Sequence, residues 1–269
     1  MDKKKVLFIS QEIMPYLTET HVSKIGRYLP QGIQERGKEI RTFMPRFGSI
    51  NERRNQLHEV IRLSGMNLII DDNDHPLIIK VASIQAARMQ IYFIDNEEYF
   101  FRKYTTRSKD KKFFEDNDER MIFFARGVLE TVKKLGWPPN LVHCHGWMAA
   151  LVPMYLRTAY KDNPLFTDTK VITSFYADDF PETLSPNLVK KLAFDGIAKE
   201  DLTYYEDPNF VNIMKASIKY SDALIVGDEN INGELADIIK AADKPTLDFH
   251  NDEEYLDATS AFYDMLCED

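Results

Sequence analysis

Residues 140–156 read NLVHCHGWMAALVPMYL, and this stretch decides the fold. A short buried strand ends in polar residues and runs straight into an amphipathic helix. The pattern predicts the strand over 140–144 and the helix over 147–160. In open α/β sheets, ligands sit just outside the carboxyl ends of the strands. His143, His145 and Gly146 fall at that place.

Toward the N-terminus, Val6 to Ser10 is a continuous apolar run with β-branched content, suited to a strand buried on both faces. Ser23 to Glu35 places Ile25, Tyr28, Leu29 and Ile33 at helical period. Pro30 inside it suggests a kink or an early stop, and Gly37 is placed to end it. Glu39 to Met44 reads as the next strand. Strand, helix and strand within about 45 residues make a βαβ unit, which implies a parallel sheet.

From His58 to Asp95 the period changes to two. Val60, Ile61 and Leu63, then Leu68 to Ile70, Leu77 to Val81 and Met89 to Ile94, predict antiparallel strands with a polar turn at 71–74. We read 57–95 as a β-rich insertion at the edge of the first sheet. Arg102 to Asp118 is dense in charge and predicts a surface loop. Glu119 to Leu135 is helical and ends at Gly136. Beyond the central stretch come a strand at Lys170 to Phe175 and a proline-interrupted loop from Asp178 to Pro186. Helices at about 187–194 and Phe210 to Tyr220, a strand at Ala223 to Val226, and helices over Glu229 to Ala242 and Glu253 to Cys267 follow. The fold expected is α/β: one domain over 1–269, a doubly wound, Rossmann-like parallel sheet carrying the insertion.

Composition narrows the function. The 269 residues are 44% hydrophobic and 29% charged, ordinary for a soluble domain with a sizeable core. A net charge of −9 argues against nucleic-acid and anionic-membrane partners, which need a basic face. Cys144 and Cys267 are too few for a disulfide framework and fit reduced thiols in a cytoplasm. The apolar run after MDKKK is too short for a signal-peptide core, and no stretch approaches the ~18 apolar residues that span a bilayer. A cytoplasmic protein is expected. No His/Cys/Asp cluster has metal-ligand spacing, so no metal is expected, and nothing implies a cofactor.

Several separated blocks then point to a family. The opening KVLFISQEIMPYLTETHVSKIGRYLPQGIQERG (5–37) carries Ser10, Glu12 and Pro15, then Leu29 and Pro30. YFIDNEEYFFR (92–102), DNDERMIFFAR (116–126), the central stretch and NIMKASIKYSDALIV (212–226) follow in order. Together they resemble the N-terminal domain of the bacterial glycogen synthases and plant starch synthases. That family carries S-x-E-x-x-P, K-T-G-G-L-x-D-V, H-x-H-D-W-H and L-K-A-G-I-x-Y-A-D-x-V-x-T-V-S. Ordered blocks across almost the whole chain are far more specific than one motif.

The resemblance implies GT-B architecture, with this chain similar to the acceptor-side half alone. A second domain of the usual ~100–200 residues does not fit in the 40 or so positions after Val226. The chain also departs from the motifs. Thr18, Glu19, Thr20 and His21 stand at the Lys-Thr-Gly-Gly positions, and a carboxylate at Glu19 would repel a diphosphate that lysine attracts. Lys24 replaces the following Asp. Gly146 and Met148 replace Asp and His of H-D-W-H, and Phe175, Tyr176 and Ala177 replace H-N-L.

The residues taken to line a ligand cleft are therefore Glu12, Tyr16, Thr18, His21, His145, Trp147 and Tyr176. Glu12 reads either as a general base or as a cap on a neighbouring amide, and the cap is preferred. His143 reads as a core histidine and Cys144 as a buried, inert thiol. The aromatic residues offer flat apolar faces to sugar rings, and are equally ordinary core material. The basic residues at 102–112 are interleaved or followed by carboxylates and read as a solvated loop. The resemblance implies a protein of glucan metabolism. Its first reading is a chain that cannot transfer glucose alone and binds α-glucan or a protein partner. A second is a retaining glycosyltransferase using ADP- or UDP-glucose, completed by another chain. A third is a regulatory or scaffold protein, with a partner or homo-oligomer covering the face that the absent half would occupy.

Overall fold

The computed structural model describes residues 3–268, which contain ten strands and eight α-helices. Strand β1 (Lys5–Ser10) leads through α1 (His21–Glu35) to β2 (Glu39–Pro45). Then come β3 (His58–Glu59), β4 (Met66–Ile70), β5 (Asn73–Ile84) and β6 (Met89–Asp95). Next are α2 (Glu97–Phe100), α3 (Asn117–Leu135), β7 (Leu141–His145), α4 (Val152–Arg157) and β8 (Lys170–Phe175). The chain finishes with α5 (Leu188–Phe194), α6 (Phe210–Tyr220), β9 (Ala223–Val226), α7 (Gly233–Ala241), β10 (Thr246–Leu247) and α8 (Tyr255–Glu268).

Across the sheet the order is β10-β9-β8-β7-β1-β2-β6-β5-β3. The run from β10 to β6 is parallel. β5 joins antiparallel to β6, β3 antiparallel to β5, and β4 forms a hairpin with β5. The chain winds outward from β1 to β2 and resumes on the other side of β1 at β7. The carboxyl ends of β1 and β7 therefore flank the topological switch point, where this class of sheet opens a crevice.

The apolar run of β1 is explained by burial on both faces. Val6 and Phe8 pack with Leu141 and Ile172 against α1 and α8. Leu7 and Ile9 turn to the other face, with Phe43, Val142 and the helices α3, α4 and α6. Successive strand residues point to opposite faces, so an unbroken apolar run marks a strand covered on both sides.

The structure differs from the sequence reading in four places. Residues Val60 to Leu63 form a turn instead of a strand, closed by Leu63 N–H to the Val60 carbonyl, and Ile61 is 82% exposed. The 57–95 segment is β-rich, yet its last strand, β6, is built into the parallel sheet beside β2. The helix expected over 147–160 is a 3-10 turn at Trp147–Ala149 followed by α4, because Pro153 fits only the first turn of a helix. Helix α1 continues through Pro30 to Glu35, held by the buried stripe Val22, Ile25, Leu29 and Ile33. The charged loop is irregular as expected. Its Arg102 pairs with Asp116, and Arg107 with Glu182 at 2.5 Å.

Candidate functional site

At the switch point, the Gln11 backbone N–H donates to the His145 carbonyl at 3.0 Å. The Gln11 side-chain carbonyl accepts the Met148 N–H, also at 3.0 Å. Gly146 turns the chain between them with φ +80°, and a Cβ there would sit 2.8 Å from Gln11 Cβ. Both facts require glycine. Gly146→Ala is expected to cost about 1–3 kcal/mol in urea unfolding; a change below about 0.5 kcal/mol would show that this junction has slack.

His145 lies at the end of β7, 1% exposed. Its Nδ1 is 2.6 Å from the Tyr176 hydroxyl, and its Nε2 is buried without a partner. The ring packs on Phe8 and lies 3.8 Å, centroid to centroid, from His143. Burial holds His145 neutral, its pKa lowered to about 3. His143 is held well below the usual range by burial and by His145, with Tyr263 and Ser174 as hydrogen-bond partners.

Tyr176 seals this corner. It lies just past β8, buried, and its ring leaves no room for a side chain at residue 227: a Cβ on Gly227 would meet it at 2.5 Å. His21 stands edge-on to Tyr176, and its Nε2 lies 2.7 Å from the Gly227 carbonyl oxygen. Of the seven predicted cleft residues, His21, His145 and Tyr176 thus come together as a packed, hydrogen-bonded block.

The other four scatter around it. Glu12 accepts a 2.6 Å hydrogen bond from the Thr20 hydroxyl. Thr20 is also the N-cap of α1: its hydroxyl oxygen accepts the Ser23 N–H while Ser23 Oγ accepts the Thr20 N–H. The helix start, which attracts anions by its dipole and free N–H groups, is thus engaged by the chain's own side chains. Glu19 pairs with Lys24 at 2.9 Å. Thr18 is exposed and contributes only its carbonyl, which accepts from Ser23 Oγ. Tyr16 is core, edge-on to Phe93, and burial raises its phenol to about 12. Trp147 is core as well, packed against Phe113 and Phe180. Cys144 is buried, and burial pushes its thiol up.

Asp178 is a site residue that the sequence reading passed over. Its Oδ2 accepts the Trp147 N–H at 3.1 Å, and its Oδ1 is buried without a partner. Burial, with Glu12 and Asp179 adding like charge, raises its pKa to about 7. The signal available was a carboxylate just past the end of a buried strand. The corner thus offers carboxylates that accept hydrogen bonds and a neutral histidine closed off from solvent.

Comparisons with known proteins agree with this architecture. The family described as "Starch synthase catalytic domain" matches residues 5–240. Glycogen synthase of Chlorobium limicola is 33% identical over 221 residues, covering 82% of this chain and 45% of the relative. That of Chlorobaculum tepidum is 31% identical over 276 aligned residues, covering 97% and 52%. Among solved structures, the catalytic domain of starch synthase IV from Arabidopsis thaliana, bound to ADP and acarbose, superposes with a TM-score of 0.73. It shares 16% identity and is covered over 52% of its length, against 93% of this chain. The chain spans about half the length of the curated relatives it matches. A parallel sheet with its switch point between Gln11 and Gly146, and a family match over 5–240, place this chain in the starch synthase catalytic domain family, among glycogen synthase-like proteins.

Proposed function

We propose that residues 1–269 act as a single N-terminal-type domain of glucan metabolism that binds α-glucan or a protein partner and does not by itself transfer glucose. The observation that carries this reading is the closure of His145 behind Tyr176, with the imidazole neutral and its Nε2 out of reach of solvent. A group that cannot touch a substrate cannot act on one. Electrostatics supports the same reading. Glu12 and Asp178 sit at the switch point, the start of α1 is capped internally, and Glu19 pairs with Lys24. A diphosphate would meet carboxylates there, whereas neutral sugar hydroxyls can donate to them.

ADP and acarbose are bound in the matching starch synthase IV structure, so nucleotide and saccharide are the two classes to compare. Calorimetry of the whole chain is expected to give no heat with ADP-glucose or UDP-glucose, and weak binding of a maltooligosaccharide. Incubation with ADP-glucose and glycogen should yield no chain extension. Turnover by the pure protein, or micromolar nucleotide binding, would overturn the reading.

A further inference from the structure

Loop 102–116 leaves the sheet after β6 and α2, whereas the loop from Asp178 to Pro186 leaves it after β8. The ends of β2, β1 and β7 lie between them. The two loops nevertheless meet. Arg107 donates two parallel hydrogen bonds to Glu182, Nη1 to Oε1 at 2.5 Å and Nη2 to Oε2 at 2.7 Å. Phe113 stacks on Phe180 with centroids 4.9 Å apart, and its ring lies 5.8 Å from that of Trp147. The first loop therefore crosses above the switch point.

Its base and its tip are held differently. At the base Arg102 grips Asp116, and the Phe114 ring carries the guanidinium groups of Arg102 and buried Arg120 at 4.8 and 5.5 Å. The tip, 106–114, is tied chiefly to itself. The Phe114 N–H donates to the Thr106 carbonyl, and the Ser108 N–H to the Lys112 carbonyl. A preformed unit thus sits on an anchored base. Every residue from Phe101 to Asp116 is exposed or half-buried, yet under the tip Trp147 is 4% and Phe180 7% exposed. Segments that bury little of themselves open at low cost, as lids must. The Arg107 and Glu182 side chains are 34% and 37% exposed, and an ion pair so exposed shifts an equilibrium by up to about fivefold.

We propose that 106–114 is an autoinhibitory cover, latched by Arg107 and Glu182, over an aromatic surface formed by Trp147 and Phe180. Lifting it withdraws Phe113 and presents two apolar rings beside Asp178, whose carboxylate accepts the Trp147 N–H. Flat apolar faces next to hydrogen-bond acceptors suit the rings of a saccharide. The cover stands on the loop contacts alone, and its ligand rests on the glucan reading.

The test combines acrylamide quenching of tryptophan fluorescence with calorimetry against maltoheptaose, both on the whole chain. Arg107→Glu sets like charges together and is expected to raise the quenching constant about twofold or more. Adding Glu182→Arg re-forms the pair with its charges exchanged and should restore the wild-type value. In a Trp147→Phe background the response should vanish, which assigns it to that indole and not to Trp137. Amide exchange in α3 and β7 should stay as in the wild type, which separates a lifted cover from a lost fold. Maltoheptaose should bind Arg107→Glu about threefold to fivefold tighter than it binds the wild type. Raised quenching with unchanged saccharide binding would support the cover and remove glucan as its ligand. Unchanged quenching in Arg107→Glu, a rise that the exchanged pair fails to reverse, or faster exchange throughout α3 and β7 would overturn the cover itself.

Discussion

At pH 8, Asp178→Asn is expected to stabilise the chain by about 2–4 kcal/mol, and at pH 4 to change it little. The cause is the largely desolvated carboxyl, which also feels Glu12 and Asp179, and whose pKa rises from its ordinary 3.8 to about 7. The native state keeps this proton to higher pH than the unfolded chain does. The wild type therefore loses stability as the pH rises from about 4 through about 7, above which the group is ionised in both states. Such a displacement corresponds to at most about 4 kcal/mol, less for a group that is only partly buried. Asparagine still accepts the Trp147 N–H through its carbonyl oxygen and carries no charge to desolvate. His145 and His143 act with the opposite sign. Their depressed pKa values stabilise the fold above about pH 6.5, an effect lost as the pH falls, but this contribution is common to both proteins. Urea unfolding of both at pH 4, 6 and 8 decides the matter. Parallel stability curves would mean that Asp178 ionises freely.

Removing α8 should have the larger consequence still. Phe262, Tyr263 and Leu266 from this helix are buried against Val6, Phe8, Leu141 and Ile172, and burial of such side chains contributes about 1.5–3 kcal/mol each. The Tyr263 hydroxyl also bonds His143, which would be left with an unpaired buried nitrogen, a cost of about 1–3 kcal/mol. The total, roughly 6–12 kcal/mol, is comparable with the whole stability of a typical domain. Truncation after Asn251 is therefore expected to abolish cooperative unfolding and the near-ultraviolet dichroism of the packed aromatics. Tyr263→Phe, which removes only the hydroxyl, should cost about 1–3 kcal/mol. A truncated chain that melts like the full one would show that α8 is dispensable.

The scaffold was legible because its signals are local. Val6–Ser10 and Leu141–His145 declare buried parallel strands by composition, and Gly136 at φ +58° ends α3 where the periodicity stops. Local misreadings have local causes. Pro153 restarted a helix that the apolar spacing seemed to continue, and Val60 to Leu63 has strand-like composition in a turn. The site was less legible because its properties are set across the sheet. His145 is bonded to Tyr176, 31 residues away, and His143 to Tyr263, 120 residues away. Trp147 and Tyr16 are core because of what packs on them, which their spacing did not show. Asp178 lay in a loop noted only for its prolines, and its displaced pKa comes first from its burial at the sheet end, with Glu12 and Asp179 adding like charge.

The internal capping of α1 also sets the difficulty of any redesign. Placing lysine and glycines at 18–21 would remove Thr20, and with it both the cap on Ser23 and the hydrogen bond that occupies Glu12. The released carboxylate would then face the very phosphate the new loop was meant to receive. Loop grafting alone is thus self-defeating in this background. A transplant of that loop must exchange Glu12, Thr20 and Ser23 as one unit, and His145 is opened to solvent only if Tyr176 is shortened as well.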